Sequence, residues 1–237
     1  MGRSVLIPII LLLPMFSGCL WSEYLFVETS FKPEEFVNYA LQSNGAKVRV
    51  SEDNPEHPAS TLINGVKDSN LWDQGEGWEL PYSISLIVWQ DNMRRVIDMP
   101  AVESLGWVII DLPEPKLINR IVIYTINSKK YPAAQYGVKN LVIQYKPYNP
   151  QISNPGWFAI ERTDRSLGQP IDGVKDNKSG VIDVRFKPVY TQSIMITIQD
   201  TNDMKRVRTF YLEGKIRLLE IEIYGRERKS KGEEELF

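Results

Sequence analysis

Few side chains in this chain of 237 residues could do covalent chemistry. It has one cysteine, Cys19, and one histidine, His57. A disulfide framework or a thiolate metal cage needs several cysteines, so both are excluded. Imidazole-based zinc sites and Ser–His–Asp catalysis are disfavoured in the same way, because His57 would have to serve alone. His57 precedes Pro58-Ala59, where it could bond a ligand from a loop rim or stand as a bystander. Acid pairs such as Asp91 with Asp98, or Glu76 with Glu79, have the residue types of a glycosidase dyad. Acids are common, however, and closeness in sequence says little about carboxylate separation. No G-x-S-x-G, Walker or H-E-x-x-H pattern occurs. The expectation is a protein that is not an enzyme.

Composition narrows the partners. Hydrophobic residues make up 43% and charged residues 24%, enough for a packed core. The net charge of −2 gives no electrostatic footprint for a nucleic-acid backbone, so no nucleic acid is expected as a partner.

The amino terminus reads as an address. Arg3 supplies a positive start, and an apolar run from Val5 to Phe16 follows, interrupted only by Pro8 and Pro14. A bilayer-crossing helix needs about 20 apolar residues, so the shorter run fits a signal-peptide core. Phe16-Ser17-Gly18-Cys19 resembles the lipobox of bacterial lipoproteins, in which the cysteine is diacylated and becomes the mature N-terminus. Phe16 departs from the usual aliphatic residue, and the alternative is a plain secretory peptide with an incidental cysteine. Leu20 follows where an Asp typically retains lipoproteins at the inner membrane. The resemblance therefore implies an exported chain, attached to membrane lipid through Cys19, on the outer membrane of a two-membrane envelope.

The rest divides into a tether and short helix over 19–45, a domain over 46–225 and a charged tail over 226–237. Pro33 and two acids open the helix, Phe36, Tyr39 and Ala40 share a face, and Asn44-Gly45 ends it, which predicts a helix over 33–43. Beyond Ala46 the pattern is that of strands. Residues 107–111, 119–125, 140–145, 181–186, 193–198 and 216–224 are short, β-branched and aromatic, with Gly, Pro, Asn and Asp between them. No helical stretches separate them, which predicts an all-β, antiparallel sandwich or jelly roll.

Four stretches, in order, resemble the discoidin or coagulation factor 5/8 type C domain, with its galactose-binding-like jelly roll. They are Pro58-Ala59-Ser60-Thr61-Leu62-Ile63-Asn64-Gly65 with Trp72, then Gly106-Trp107-Val108-Ile109-Ile110-Asp111-Leu112 with Arg120-Ile121-Val122-Ile123-Tyr124. The third is Gly156-Trp157-Phe158, and the last is Phe186-Lys187-Pro188-Val189 with Leu219-Glu220-Ile221-Glu222-Ile223-Tyr224-Gly225. Asn64 replaces the usual Asp and Pro113 the usual Gly, Ser193–Ile196 lacks a common Arg, and the insertion over 73–106 is long. By the resemblance, Trp72, Trp107 and Trp157 are packing residues.

The resemblance also implies a structural calcium ion between the opening turn and the last strand. The corresponding residues are Thr61 and Leu219 through carbonyls, and Asn64, Asp68, Ser69 or Asn70, and Glu220 through side chains. Asn64 brings no charge, so affinity should fall. Alternatively Asn64-Gly65 merely makes a turn and Glu220 pairs with a cation. Ile63–Asp68 recurs nearly verbatim as Ile171–Asp176, which reads as two similar loops.

Sugar recognition in such folds uses loop aromatics with Arg, Asn or Asp at the hydroxyls. Trp78, Tyr82 and Trp89 in the insertion could supply a platform, with Trp78 the most exposed and Trp89 more suited to the core. Tyr131 and Tyr136 could do so as well, or Phe210 and Tyr211 beside Arg206 and Arg208. His57 completes the candidates. The leading expectation is a non-catalytic, lipid-anchored protein that recognises carbohydrate. The rivals are an envelope scaffold docking a protein through 73–106, and phospholipid contact through protruding Trp78, Leu80 or Tyr82.

Overall fold

The period-two alternation of the sequence is fulfilled across two facing layers. The computed structural model describes residues 37–90, 93–96, 103–152, 155–208 and 210–225. The expected signal segment, Cys19, most of the expected tether and the charged tail lie outside the described residues. The strands are β1 (Lys47–Val50), β2 (Trp78–Ser85), β3 (Ile87–Gln90), β4 (Met93–Val96), β5 (Gly106–Thr125), β6 (Val138–Pro147), β7 (Phe158–Ala159), β8 (Gly173–Val174), β9 (Val181–Thr201), β10 (Lys205–Arg208) and β11 (Tyr211–Gly225). Every pairing is antiparallel. The protein is an all-β antiparallel sandwich of the jelly-roll kind.

Two strands serve both layers. The first half of β5 pairs with β1 and with the second half of β9, as in Val108↔Ile196. Its second half pairs with β11 and with the first half of β9, as in Ile123↔Ile221 and Ile123↔Ile182. The register slips between Asp111 and Lys116, where β5 turns from one layer to the other. β6 extends one layer, carrying β7 and β8 on it, and β2 and β10 extend the other from β11. Between the layers lie Val108 and Ile110 of β5, Ile182, Val184, Ile196 and Ile198 of β9, and Ile221 and Ile223 of β11, all buried. Each is two residues from the next, which is what a strand with one covered face requires. Burial of each such side chain stabilises the fold by about 1.5–3 kcal/mol.

The expected helix over 33–43 does not form in its described part. Tyr39 and Ala40 make a turn, and Gln42–Asn44 is a single 3-10 turn closed by Gly45 at φ 89°. Strand β11 captures the amides a helix would need. Tyr39 donates its N–H to Ile223 O at 2.8 Å, and the Asn38 side chain accepts from Ile223 N–H at 3.0 Å. The two near-identical hexapeptides also differ. Asn64-Gly65 ends a 3-10 turn with Gly65 at φ 87°, whereas Gly173-Val174 is strand β8. Shared residues met different neighbours, so these are not two similar loops.

Gly77 sets the start of β2. It has φ 83°, and a Cβ there would lie 2.5 Å from Leu218 O and 2.7 Å from the Trp72 ring. Only glycine meets both demands at that point. Gly77→Ala is expected to cost about 2 kcal/mol or more, through backbone strain and a clash with packed neighbours. Urea unfolding measures this, and an unchanged midpoint would contradict the role given to Gly77.

Candidate functional site

Strand β11 changes phase at one place, and the site follows from it. Ile216 and Leu218 face the core before the change, and Ile221 and Ile223 after it. The register shifts between Leu218 and Glu220, the signature of a bulge. Before the bulge, Lys215 and Arg217 point to the outer face beside β2. There they meet Glu79, whose register partner is Arg217. Lys215 Nζ bonds Glu79 Oε1 at 2.7 Å, and Arg217 Nε bonds Glu79 Oε2 at 3.2 Å. A second guanidinium nitrogen of Arg217 donates to Asp203 Oδ2 at 2.6 Å, and the Tyr136 ring lies 5.5 Å from the guanidinium carbon. Arg217 is 7% exposed, so two carboxylates and one ring neutralise and cover a buried cation.

Around these groups opens a pocket of about 520 Å³, walled by Tyr82 and Tyr136 and floored by Asp203, Lys215 and Arg217. Lys205 and Glu213 stand at its rim. Tyr82 lies across β11 because its register partner is Gly214, where a Cβ would stand 2.3 Å from the phenol oxygen. The Thr201 hydroxyl gives its one hydrogen to Asp203 Oδ1 at 2.7 Å, so the Tyr82 phenol donates to Thr201 Oγ. Burial pushes the Tyr82 phenol above its ordinary pKa, which keeps it a donor at any physiological pH. Two ring faces, a fixed carboxylate and two cations can hold a neutral polyhydroxyl compound. The rings cover its C–H face, and the charged groups give and take hydrogen bonds with adjacent hydroxyls.

Of the residues expected to bind a ligand, Tyr82 and Tyr136 line this pocket. Trp78 is fully buried at 0% exposure, with its indole N–H bonded to Glu52 O at 3.0 Å, so it is a core residue and offers no exposed platform. Leu80 is also buried, and with Trp78 sealed into the core the three-residue membrane spike does not exist. Residues 78–85 of the insertion are paired with β11 over their whole length, which leaves them no free strand edge toward β11 for a docked protein. The side chain of Trp89, and Asp91 and Asp98, lie outside the described residues. His57 stacks on Trp72 with centroids 4.3 Å apart, and its Nδ1 is 3.4 Å from Glu76 O, away from the pocket lining. Arg208 and Tyr211 face each other across the β10–β11 pair, both exposed, next to the pocket and not lining it. Trp72 is core as expected, whereas Trp107 and Trp157 are half-buried, Trp157 lying beneath Lys146.

The residues implied for calcium form a different constellation. Glu220 is fully buried; its Oε2 accepts from Gly65 N–H at 3.1 Å, and its Oε1 has no hydrogen-bond partner. That orphan oxygen is the one feature that suits an oxygen-ligated cation. The other side chains each have a local partner. Asn64 Oδ1 accepts from Val66 N–H, Asp68 Oδ1 accepts twice from Asn70, and Ser69 Oγ accepts from Asn127 N–H. Thr61 Oγ bonds Pro58 O, and Leu219 is packed with Trp72 and Ile126. Lys67 is bonded to Glu222 beside them at 2.7 Å. Among the described residues no three His, Cys, Asp or Glu side chains converge on a possible metal position. Calcium asks for six to eight oxygens at about 2.3–2.6 Å, and the side chains here supply one buried oxygen without a partner, Glu220 Oε1.

Sequence reasoning missed Asp203, Lys215 and Arg217. The signal was present: Lys215 and Arg217 interrupt an apolar run at spacing two, opposite a Glu79 that strand β2 would bring alongside. Strand order and the discoidin-like motifs agree on one jelly roll. No protein-family model and no curated protein sequence matches the chain. Among solved structures, it is similar to the family 32 carbohydrate-binding module of Streptococcus pneumoniae EndoD, with 17% identity, TM-score 0.49, 80% of this chain and 100% of that one. It is similar also to the family 32 module of C. perfringens NanJ in complex with galactose (16%, TM-score 0.46, 79% and 98%). A third is a Streptococcus pneumoniae fucose binding module, SpX-3 (12%, TM-score 0.47, 81% and 100%).

Burial, with Glu222 close by, raises the Glu220 pKa to about 8 against the opposing Gly65 N–H and Lys67. The unfolded chain sheds this proton above its ordinary value of 4.5, while the fold holds it to about 8. Stability therefore falls as pH rises through that window. Glu220→Gln is expected to leave the melting temperature near wild type at pH 4 and to raise it by a few degrees at pH 8.5. Calorimetric scans at the two pH values measure the difference, and parallel wild-type and variant curves would contradict it.

Proposed function

We propose that this is a lipid-anchored protein of the bacterial envelope that binds carbohydrate, without cleaving it, in the pocket between Tyr82, Tyr136 and Arg217. The observation that carries the proposal is the pairing of two aromatic walls with charged groups fixed by one another. Ligand-binding groups held in place before the ligand arrives lose little freedom on binding. Those same bonds argue against cleavage. Glu79 and Asp203 are both committed to Arg217, a cation that lies between them where a glycosidase dyad would leave room for substrate. The anchor is supported by the lipobox-like Phe16–Cys19, and export follows from the segment before it. The donor set around Glu220 supports binding that does not depend on calcium.

The full chain in detergent, applied to a broad glycan array, is expected to bind a restricted set of glycans. Tyr136→Ala removes one wall and is expected to weaken binding about tenfold, near the upper worth of one stacked ring. Binding that survives both Tyr136→Ala and Lys205→Ala would place the ligand elsewhere. A folded chain that binds no glycan would overturn the carbohydrate reading.

Calcium and chelator are expected to leave glycan binding and the melting temperature unchanged. A saturable rise in melting temperature with calcium would restore the metal at Glu220.

A further inference from the structure

The end of the sandwich away from the pocket carries a second surface that sugar binding does not use. β6 ends at Pro147, and Tyr148 donates its backbone N–H to Tyr190 O at 3.0 Å. The two rings meet edge-on with centroids 5.6 Å apart, and both are exposed, Tyr148 by 43%. Ile152 is 50% exposed beside them. Lys146 lies over the Trp157 ring at 4.9 Å and, with Tyr148, Ile152 and Gln192, lines a hollow of about 260 Å³. The lining holds one cation and no acid. Aromatic rings with polar tips, an exposed aliphatic and a long-stemmed lysine are the side chains that settle at a membrane–water boundary.

The described chain begins at this same end. Lys116 sits over the Tyr39 ring at 5.1 Å and is the register partner of Thr191, which lies between Tyr190 and Gln192. Gln192 bonds the carbonyls of Leu112 and Pro113, and Pro113 is the neighbour of Gly45. Gly225, the last described residue, pairs with Ile118 close by. Eighteen residue steps separate Cys19 from Val37. A lipid on Cys19 thus pulls on the end of the domain that carries the aromatic patch.

We propose that this end is laid against the bilayer, with Tyr148, Tyr190, Ile152 and Trp157 among the head groups and Lys146 toward the phosphates. The proposal rests on lipid attachment at Cys19. It orients the domain, because the Tyr82–Arg217 pocket then faces away from the membrane.

The test uses the full chain, purified with its native modification and reconstituted into phosphatidylcholine–phosphatidylglycerol vesicles. Hydroxyl-radical labelling read by mass spectrometry is compared with that of the Cys19→Ser chain free in solution. Labelling of Tyr148 and Tyr190 is expected to fall several-fold on vesicles, while Tyr211 beside the pocket keeps its level. Tyr148→Ser with Ile152→Ser is expected to stay on the vesicles and lose the protection of Tyr190. A chain that floats with vesicles yet labels equally at both ends overturns the membrane face and leaves the anchor standing. Protection that grows with protein concentration in the absence of vesicles would assign the patch to a second copy and overturn it too. A chain with no diacylglycerol on Cys19 overturns the anchor, and this face with it.

Discussion

The structure depends on two strands that each belong to both layers. β5 and β9 are 20 and 21 residues long, and each crosses from one sheet to the other near its middle. Both crossings fall at one end, where Gln192 of β9 bonds the carbonyls of Leu112 and Pro113 of β5. That end is closed by continuous chain. The segment Ser193–Thr201 then runs about 26 Å along the sheet to the far end, about eight steps of ~3.3 Å. At that far end no strand crosses between layers, so loops and the short strand β10 make the surface. The Tyr82–Arg217 pocket forms there, whereas continuous backbone closes the other end around the smaller hollow beside Tyr148. The two ends are thereby given different tasks by one constraint on chain path.

Arg217 is what makes the open end more than a set of loops. Its guanidinium bonds β2 through Glu79 and the β9–β10 loop through Asp203, and it carries the Tyr136 ring from the α1 turn (Ala133–Tyr136). Three segments far apart in sequence are thus fixed on one planar cation. Arginine suits this because its fork reaches two carboxylates at once and its face accepts a ring, neither of which a lysine can do in the same plane. Removing it would leave Glu79 and Asp203 as partly buried anions facing only Lys215, so the geometry of the pocket and its stability rest on the same side chain.

Most strands were legible in the sequence because one covered face imposes spacing two on residues such as Ile194-Ile196-Ile198 and Ile182-Val184-Phe186. Their merger into two long strands was not, since Pro113 and Pro188 read locally as breaks. Both occur where the pairing shifts layer and the ladder has already been interrupted. Trp78 misled for a related reason. Its neighbours Gly77 and Glu79 look like a loop, yet Gly77 is demanded by a close approach to Leu218 O and Glu79 by the two cations of β11. The residues flanking Trp78 answered to strand partners 141 and 138 positions away, Leu218 for Gly77 and Arg217 for Glu79, and nothing local reveals that. The helix expected over 33–43 failed because the free edge of β11 took the Tyr39 N–H and gave its own Ile223 N–H to the Asn38 side chain. An edge that would otherwise stand unpaired outcompetes one turn of helix.

The opening turn shows how one substitution changes the physics of a place without changing its shape. Asn64 keeps the turn, since its side-chain oxygen accepts from Val66 N–H as an Asp would. It removes a negative charge from the surroundings of Glu220, and with it a reason for a cation to settle there. A buried carboxylate left without a cation has two ways to lower its cost: a hydrogen-bonded partner or a proton. Gly65 N–H supplies part of the first, and the raised proton affinity of Glu220 supplies the second. The same strand buries Glu220 beneath the opening turn and presents Lys215 and Arg217 on its outer face beside β2. Glu220 therefore has a place independent of any ion, because the strand that buries it also carries the cations of the pocket.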